Sequence, residues 1–392
     1  MTKSSLPNGW RLVKFGELAE SITERVDDPK AAGVEVYVGL EHLDPDTTKI
    51  GRFGTPEDVD STKLRFYPGD VIYARRRAYQ RKLGVAEVVG ICSAHALVLR
   101  ARPEVCLPGF LPYFLQSDQF HERALSISVG SLSPTINWKT LVVQEFVLPP
   151  IAEQRQIIAL LNQLDKLVSS CELAQDRLIK LQLCKFEQLV HEAECSINPL
   201  CDVADIYRGY SFSGRDYVSD GGINFLTLAS VERGGGYKPN TLKLIDAEVR
   251  EKHKVVKGDL LVANTDLTPT RQFIGRPFLV PGNLGICAFS HHLTRVLPLD
   301  PSLNEWLYWE LQSAQARQVI TSSSRGSTVI MLDNKRFNSL KIRIPNASSR
   351  RSILDLMQAF DILRRNLAME CQSSALLRKS ILNSILTGST SV

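Results

Sequence analysis

Two stretches of the chain carry neither proline nor glycine, and in both the apolar positions return at alternating steps of four and three. From Ile151 to about Glu194 the series is Leu160, Leu164, Leu167, Cys171, Ala174, Leu178 and Leu181. That spacing predicts a helix with a heptad seam. From about Ser348 to Thr387, Ile353, Leu356, Phe360, Leu363 and Leu367 keep the same seam. Glu370 and Ser374 break it, Leu377 and Ile381 resume it, and Gly388 is placed to cap the end. A helix of more than 40 residues is roughly 60 Å long at 1.5 Å per residue. Alone it cannot cover its apolar stripe, so two such helices most simply pack on each other as an antiparallel coiled coil. The other arrangement folds each helix back onto its own domain.

Outside these stretches the pattern is of short strands. Val34–Val38 and Gly222–Leu226 are β-type runs. Gly69-Asp70 and Gly258-Asp259 are turns, each followed by an apolar run, Val71-Ile72-Tyr73 or Leu260-Leu261-Val262. Further strands are predicted at Ala96–Leu99 and Leu293–Leu297, and at Glu145–Pro149 and Lys341–Pro345. Helices are predicted over Phe110–Leu125 and Asn304–Ile320.

These features come in pairs because the chain repeats itself. Leu115-Gln116-Ser117 returns as Leu311-Gln312-Ser313, Gly130-Ser131 as Gly326-Ser327 and Pro149 as Pro345, each at a shift of 196. Gly90-Ile91-Cys92 returns at 195 and Gly69-Asp70 at 189. Five matches in order define two copies of one unit, each a little under 200 residues. The predicted division is a domain over 1–150, a helix over 151–195, a second domain over 196–346 and a second helix over 347–392. The fold class is α+β, two domains of short strands with one or two helices each, separated by the helix pair and related by a pseudo-twofold axis.

Composition narrows the class. The 392 residues are 44% hydrophobic with a net charge of +5, which suits globular domains and permits a polyanionic partner without demanding one. The N-terminal MTKSSLPNGW has no apolar signal region, and no apolar run approaches the roughly 20 residues that span a bilayer. The eight cysteines are scattered with no C-x-x-C, so they read as reduced, mostly buried thiols of a cytosolic protein and not as metal ligands. His291-His292 reads as packing at a strand end. Gly234-Gly235-Gly236 opens no helix and is a flexible loop, and no P-loop or nuclease-like carboxylate cluster is present.

Charge is concentrated in Tyr73–Gly84, YARRRAYQRKLG. Arg75, Arg76, Arg77, Arg81 and Lys82 place five cations in eight residues, with Tyr79 among them. Taken alone, this is either a polyanion-binding segment or a solvated loop. The matching stretch of the second copy, Asn264 to Phe273, is polar instead, with Asn264, Thr265, Arg271 and Gln272.

Several segments together resemble the specificity (S) subunits of type I restriction-modification systems. Leu6-Pro7-Asn8-Gly9-Trp10 with Phe15-Gly16-Glu17-Leu18 is similar to the family's opening, and Tyr67–Tyr73 to its strand before a DNA-facing loop. Leu148–Ile158 is similar to its PP-x-x-EQ helix entry, and Leu377–Leu382 to its closing helix. In the second copy, Pro345–Arg351 is a degenerate version of the PP-x-x-EQ entry. The resemblance implies two target recognition domains, each reading one half of a split, asymmetric double-stranded DNA site. The helices would serve as spacer and as docking surface for modification (M) subunits, two by the repeat, with restriction (R) subunits as optional further partners.

The family's chain binds no cofactor of its own, S-adenosylmethionine belonging to M. No Asn/Asp-Pro-Pro-Tyr/Phe tetrapeptide is present, in keeping with a non-catalytic subunit in the prokaryotic cytoplasm. On this reading Arg75, Arg76, Arg77, Tyr79, Arg81 and Lys82 face DNA, since the arginine fork suits guanine and phosphate. Asn264, Thr265, Arg271 and Gln272 are their counterparts, Asn and Gln suiting adenine. Gly130, Ser131 and Thr135, Arg325 and Ser327, and Arg208 with Tyr210 are further DNA candidates. Pro150, Glu153, Gln154 and Arg155 are candidates for contact with M. The competing reading is a coiled-coil scaffold whose two domains bind proteins.

Overall fold

The structure is a computed structural model that describes residues 6–268 and 270–386; Gly388 lies outside them. The chain divides into two compact units. One holds the residues up to Glu172 together with those from Met369 onward, and the other holds Leu173–Ala368. Both predicted helices are present, Ile151–Glu192 with 42 residues and Ala347–Leu386 with 40, and each contributes to both units. The unit boundaries therefore cut across the helices instead of falling at their ends.

In the first unit, Ala19–Ile22, Ala96–Ala101, Val71–Ala74 and Leu83–Val85 form an antiparallel sheet in that order. A second sheet runs Arg25–Val26, Lys63–Phe66, Gly90–Ser93, Tyr37–Val38, with its last pair parallel. Arg11–Lys14 pairs with Glu145–Leu148. Phe15, Phe114, Phe120 and Phe146 form an aromatic cluster at centroid distances of 5.3–5.9 Å. Ile157, Leu161, Leu382 and Ile385 from the long helices close the same core.

The second unit repeats this plan. Ala204–Arg208, Leu293–Pro298, Leu260–Ala263 and Pro277–Leu279 form the corresponding sheet in the corresponding order. A five-stranded sheet with one parallel pair lies beside it, and Cys195–Pro199 pairs with Lys341–Pro345. The Gly-Asp repeat has a shared cause. Gly69 and Gly258 sit at φ 89° and 88°, where only glycine is unstrained. Asp70 and Asp259 then accept the N–H of Tyr67 at 2.9 Å and of Val256 at 2.7 Å, each also bound by an arginine, Arg100 or Arg295.

Each helix predicted after the strands is two helices. Ser117 and Ser313 take extended backbone, and their hydroxyls accept N–H groups of Phe120 and Ala316, capping the second helix of each pair. The repeated Leu-Gln-Ser is thus a break and an N-cap.

Within each unit the two long-helix segments run antiparallel. In the first, Asp165 meets Arg378 and Cys171 meets Cys371. In the second, Gln182 bonds Asp361 while Phe186 packs with Met357 and Ile353. The seam differs from the periodic reading at Leu167, Leu181, Leu363 and Leu377, all of which are about half exposed. Their inward places are taken by polar groups. Gln182 is buried and bonds Met357 O, Asp361 and Arg364; Arg378 is buried against Asp165 and Gln116. Of the cysteines only Cys92, Cys106 and Cys287 are buried; Cys184 and Cys201 are exposed and the other three half-buried.

Candidate nucleic-acid interface

In the first unit the strand Val71–Ala74 runs out into Arg75–Lys82, and a second loop, residues 127–136, is laid against it by the backbone. Ile136 N donates to Arg75 O at 3.0 Å and Arg77 N to Pro134 O at 2.8 Å. The second loop is itself closed by Val129 and Thr135, which exchange N–H···O bonds of 3.0 and 2.9 Å, with Gly130 at φ 109° making the turn. Arg77 and Arg81, at φ 57° and 51°, bracket a short helical turn pinned by buried Ala78.

The basic stretch therefore divides. Arg76 and Arg77 are exposed, and their side chains make no hydrogen bond or ion pair among the described residues; Tyr79 is exposed beside them. Arg75 is half-buried, with Nη2 on Ala94 O at 3.2 Å. Arg81 is held by Asp118, and Lys82 Nζ reaches Leu40 O at 3.3 Å. Ser131 lies exposed beyond Gly130, and Thr135 is half-buried in its bridge to Arg76.

The second unit builds the same pair of loops. Leu332 N donates to Asn264 O at 3.0 Å, and Thr265–Asp266 pairs with Ile330–Met331. Arg325 and Met331 close the second loop with bonds of 3.1 and 2.7 Å, and Gly326 turns it at φ 113°. Here the structure corrects two assignments. Asn264 and Thr265 are each 3% exposed, because the strand Ile330–Met331 covers them. Asn264 Nδ2 donates to His291 O at 3.2 Å, and Thr265 Oγ1 lies 3.0 Å from His292 Nδ1. Their side chains hold the loop from inside.

Asp266, also buried, organises the rest. It accepts the N–H groups of Thr268, Phe273 and Ile274 and the Thr268 hydroxyl. Burial raises its carboxyl, but these bonds outweigh it and leave the pKa below the usual range. Arg271 is committed to Thr321 O, and the Gln272 side-chain carbonyl is enclosed with no hydrogen-bond partner among the described residues.

What the second unit exposes is Arg325, within 3.1 Å of Asp333, together with Ser327 and Leu267. Arg208 is exposed at the edge, with Nε 3.4 Å from His291 O, while Tyr210 is half-buried against His253. The two histidine rings lie 4.0 Å apart, tilted by 40°; burial pushes His292 down, helped by His291 and Arg208. Among the described residues no group of His, Cys, Asp and Glu could hold a metal ion.

At the start of the first long helix, Gln154 is fully buried. It donates to Val105 O and Pro149 O and accepts from Leu107 N, so it anchors the helix to its own domain and does not face a partner. Glu153 accepts from Trp10 Nε1 at 2.9 Å, Pro150 lies against Gly9, and Arg155 is exposed.

The two copies of this arrangement coincide with a known domain. The type I restriction modification DNA specificity domain matches residues 7–180 and again 195–370, so the chain belongs to that family, with two domains in tandem. Over 162 residues it is 27% identical to the type I restriction enzyme EcoDI specificity subunit of Escherichia coli, covering 41% of this chain and 36% of that one. Over 309 residues it is 22% identical to the EcoKI specificity subunit of Escherichia coli (strain K12), covering 70% and 65%. The chain thus spans about a third and just under two thirds of these relatives. A solved chain from work on complex assembly and conformational transition of the type I R-M system shares the fold, with a TM-score of 0.57 at 23% identity over 97% of this chain and 98% of that one.

Proposed function

We propose that this chain is the DNA-reading subunit of a type I restriction-modification assembly, with no catalysis of its own. The observation that carries the reading is the pair of backbone-tied loops, built alike in both units and carrying different side chains. One unit offers Arg76 and Arg77 on the first loop; the other offers Arg325 on the second. A common scaffold with unlike contact residues suits a bipartite, asymmetric site on double-stranded DNA. Arginine supplies both phosphate grip and guanine contacts.

The long helices supply the second surface. Leu167, Leu376 and Leu377 in the first unit, and Leu173, Leu181 and Leu363 in the second, leave apolar area uncovered on helices whose inward face already holds its own apolar and polar contacts. Each set is a docking face for one M subunit, which brings S-adenosylmethionine; R subunits join that assembly. Among the described residues no helix is long and apolar enough to cross a membrane. As a restriction-modification assembly it would work in the prokaryotic cytoplasm.

The test is binding to random and selected duplexes, with and without the neighbouring methyltransferase subunit. Sequence-selective binding that weakens steeply with salt and tightens with M is expected. Equal affinity for all duplexes with M present refutes the proposal.

A further inference from the structure

We propose that Leu132 reads a thymine, packing on the C5 methyl group of one thymine in the half-site that faces the first unit. This deepens the DNA-reading proposal and rests on it. Leu132 is 93% exposed at the tip of the loop that Val129 and Thr135 close. The tip is not adrift. Thr135 bridges to Arg76, and Pro134 accepts the N–H of Arg77, so the apolar tip and the two free arginines are parts of one ledge. Val129 and Tyr79, also exposed, extend its apolar part.

An isobutyl group adds nothing to a phosphate grip. Of the groups that base pairs present in the major groove, the thymine methyl is the apolar one. The second unit carries the same two ingredients, its apolar side chains (Leu267, Val329 and Met331) shared between both loops. At the position equivalent to Leu132 it has Thr328, with Arg325 on that loop, while the exposed leucine, Leu267, lies on the loop that leaves the strand. Each unit thus presents cationic and apolar contacts together on paired loops.

The experiment uses the complex with its methyltransferase subunit and a duplex carrying the recognised site, in which each thymine is replaced in turn by deoxyuridine. Uracil lacks only the methyl. One replacement is expected to weaken the wild-type complex about fourfold, the ~0.8 kcal/mol of one buried methyl-sized group. Leu132→Ala is expected to bind the parent duplex more weakly and to be indifferent to that replacement. Its melting temperature, unchanged for so exposed a side chain, confirms the fold.

A wild-type scan in which no replacement matters overturns the proposal without any variant. So does a Leu132→Ala complex that keeps the same sensitivity, or one that loses affinity equally for every duplex, the signature of a wedge between bases. A complex with no site preference overturns the DNA-reading proposal and this one with it.

Discussion

Arg343 fastens the second unit to its own stretch of the first long helix. Its Nε and Nη2 grip both carboxylate oxygens of Glu310 at 2.8 and 3.0 Å, its backbone N–H adds a bond of 3.0 Å, and Nη1 reaches Glu187 at 2.9 Å. The Glu310 side chain is 1% exposed and that of Arg343 16%. Burial raises the Glu310 carboxyl even though Arg343 pulls it down. Arg343→Ala leaves that carboxylate buried with one N–H donor. Removing one partner of such a pair costs about 3–5 kcal/mol, and partial hydration at Arg343 points to about 3. For a cooperative unit of about 200 residues this lowers Tm by roughly 6–12 °C.

The pH dependence follows from the raised carboxyl. A group whose folded pKa lies above its unfolded value contributes stability that is present at low pH and is lost as pH rises through the folded pKa. Without Arg343 the folded pKa climbs further, so the deficit against the native chain shrinks on acidification. Arg343→Met with Glu310→Leu recovers most of the loss, because neither charge is then stranded. Thermal unfolding followed by circular dichroism across a pH series measures all three. A loss below about 1 kcal/mol, the range of exposed ion pairs, or a deficit that grows on acidification, would refute the reasoning.

Asp266→Ala removes four hydrogen bonds to residues 268–274, at about 1.5–3 kcal/mol for each bond to the charged group before relaxation. Selectivity for one half-site is expected to collapse while the other persists in a competition assay. Because the Asp266 pKa is depressed, its contribution is present above the unfolded value near 4 and lost as pH falls through the folded value. Arg76→Ala with Arg77→Ala should reduce the slope of log affinity against log salt by up to about 1.8, if both grip phosphate. Leu377→Glu should weaken association with M about tenfold or more while leaving the melting temperature of the free chain unchanged, as pull-down titration and calorimetry would show.

The repeat, the short strands, the long helices and the basic stretch were all legible in the sequence, because each leaves a local or periodic mark. What was not legible depends on contacts between distant segments. Arg81 looks like its neighbours until Asp118, 37 residues away, arrives beside it. Asn264 and Thr265 look exposed until the strand at Ile330–Met331 covers them. Gln154, in the most specific motif of the chain, is spent on backbone groups of residues 105–107 and 149. In the helices, the leucine stripe pointed to Leu167 and Leu181 as seam residues. At those points the inward positions are held instead by ion pairs and amides, which hydrophobic periodicity does not register, while Leu164, Ile353 and Phe360 pack inward as the period predicts. The exposed Leu132 and Leu267 had no signal beyond being apolar residues in polar loops. Their meaning appears only once the loops are paired.

On the proposed function, this chain selects a DNA site for a partner methyltransferase. Methylome sequencing of a host carrying the chain with its neighbouring methyltransferase gene, compared with a host lacking the chain, tests it most directly. Adenine methylation at one split, asymmetric motif that disappears without the chain is the predicted result. An active methyltransferase whose methylation pattern is the same with and without the chain would rule out a DNA-reading role.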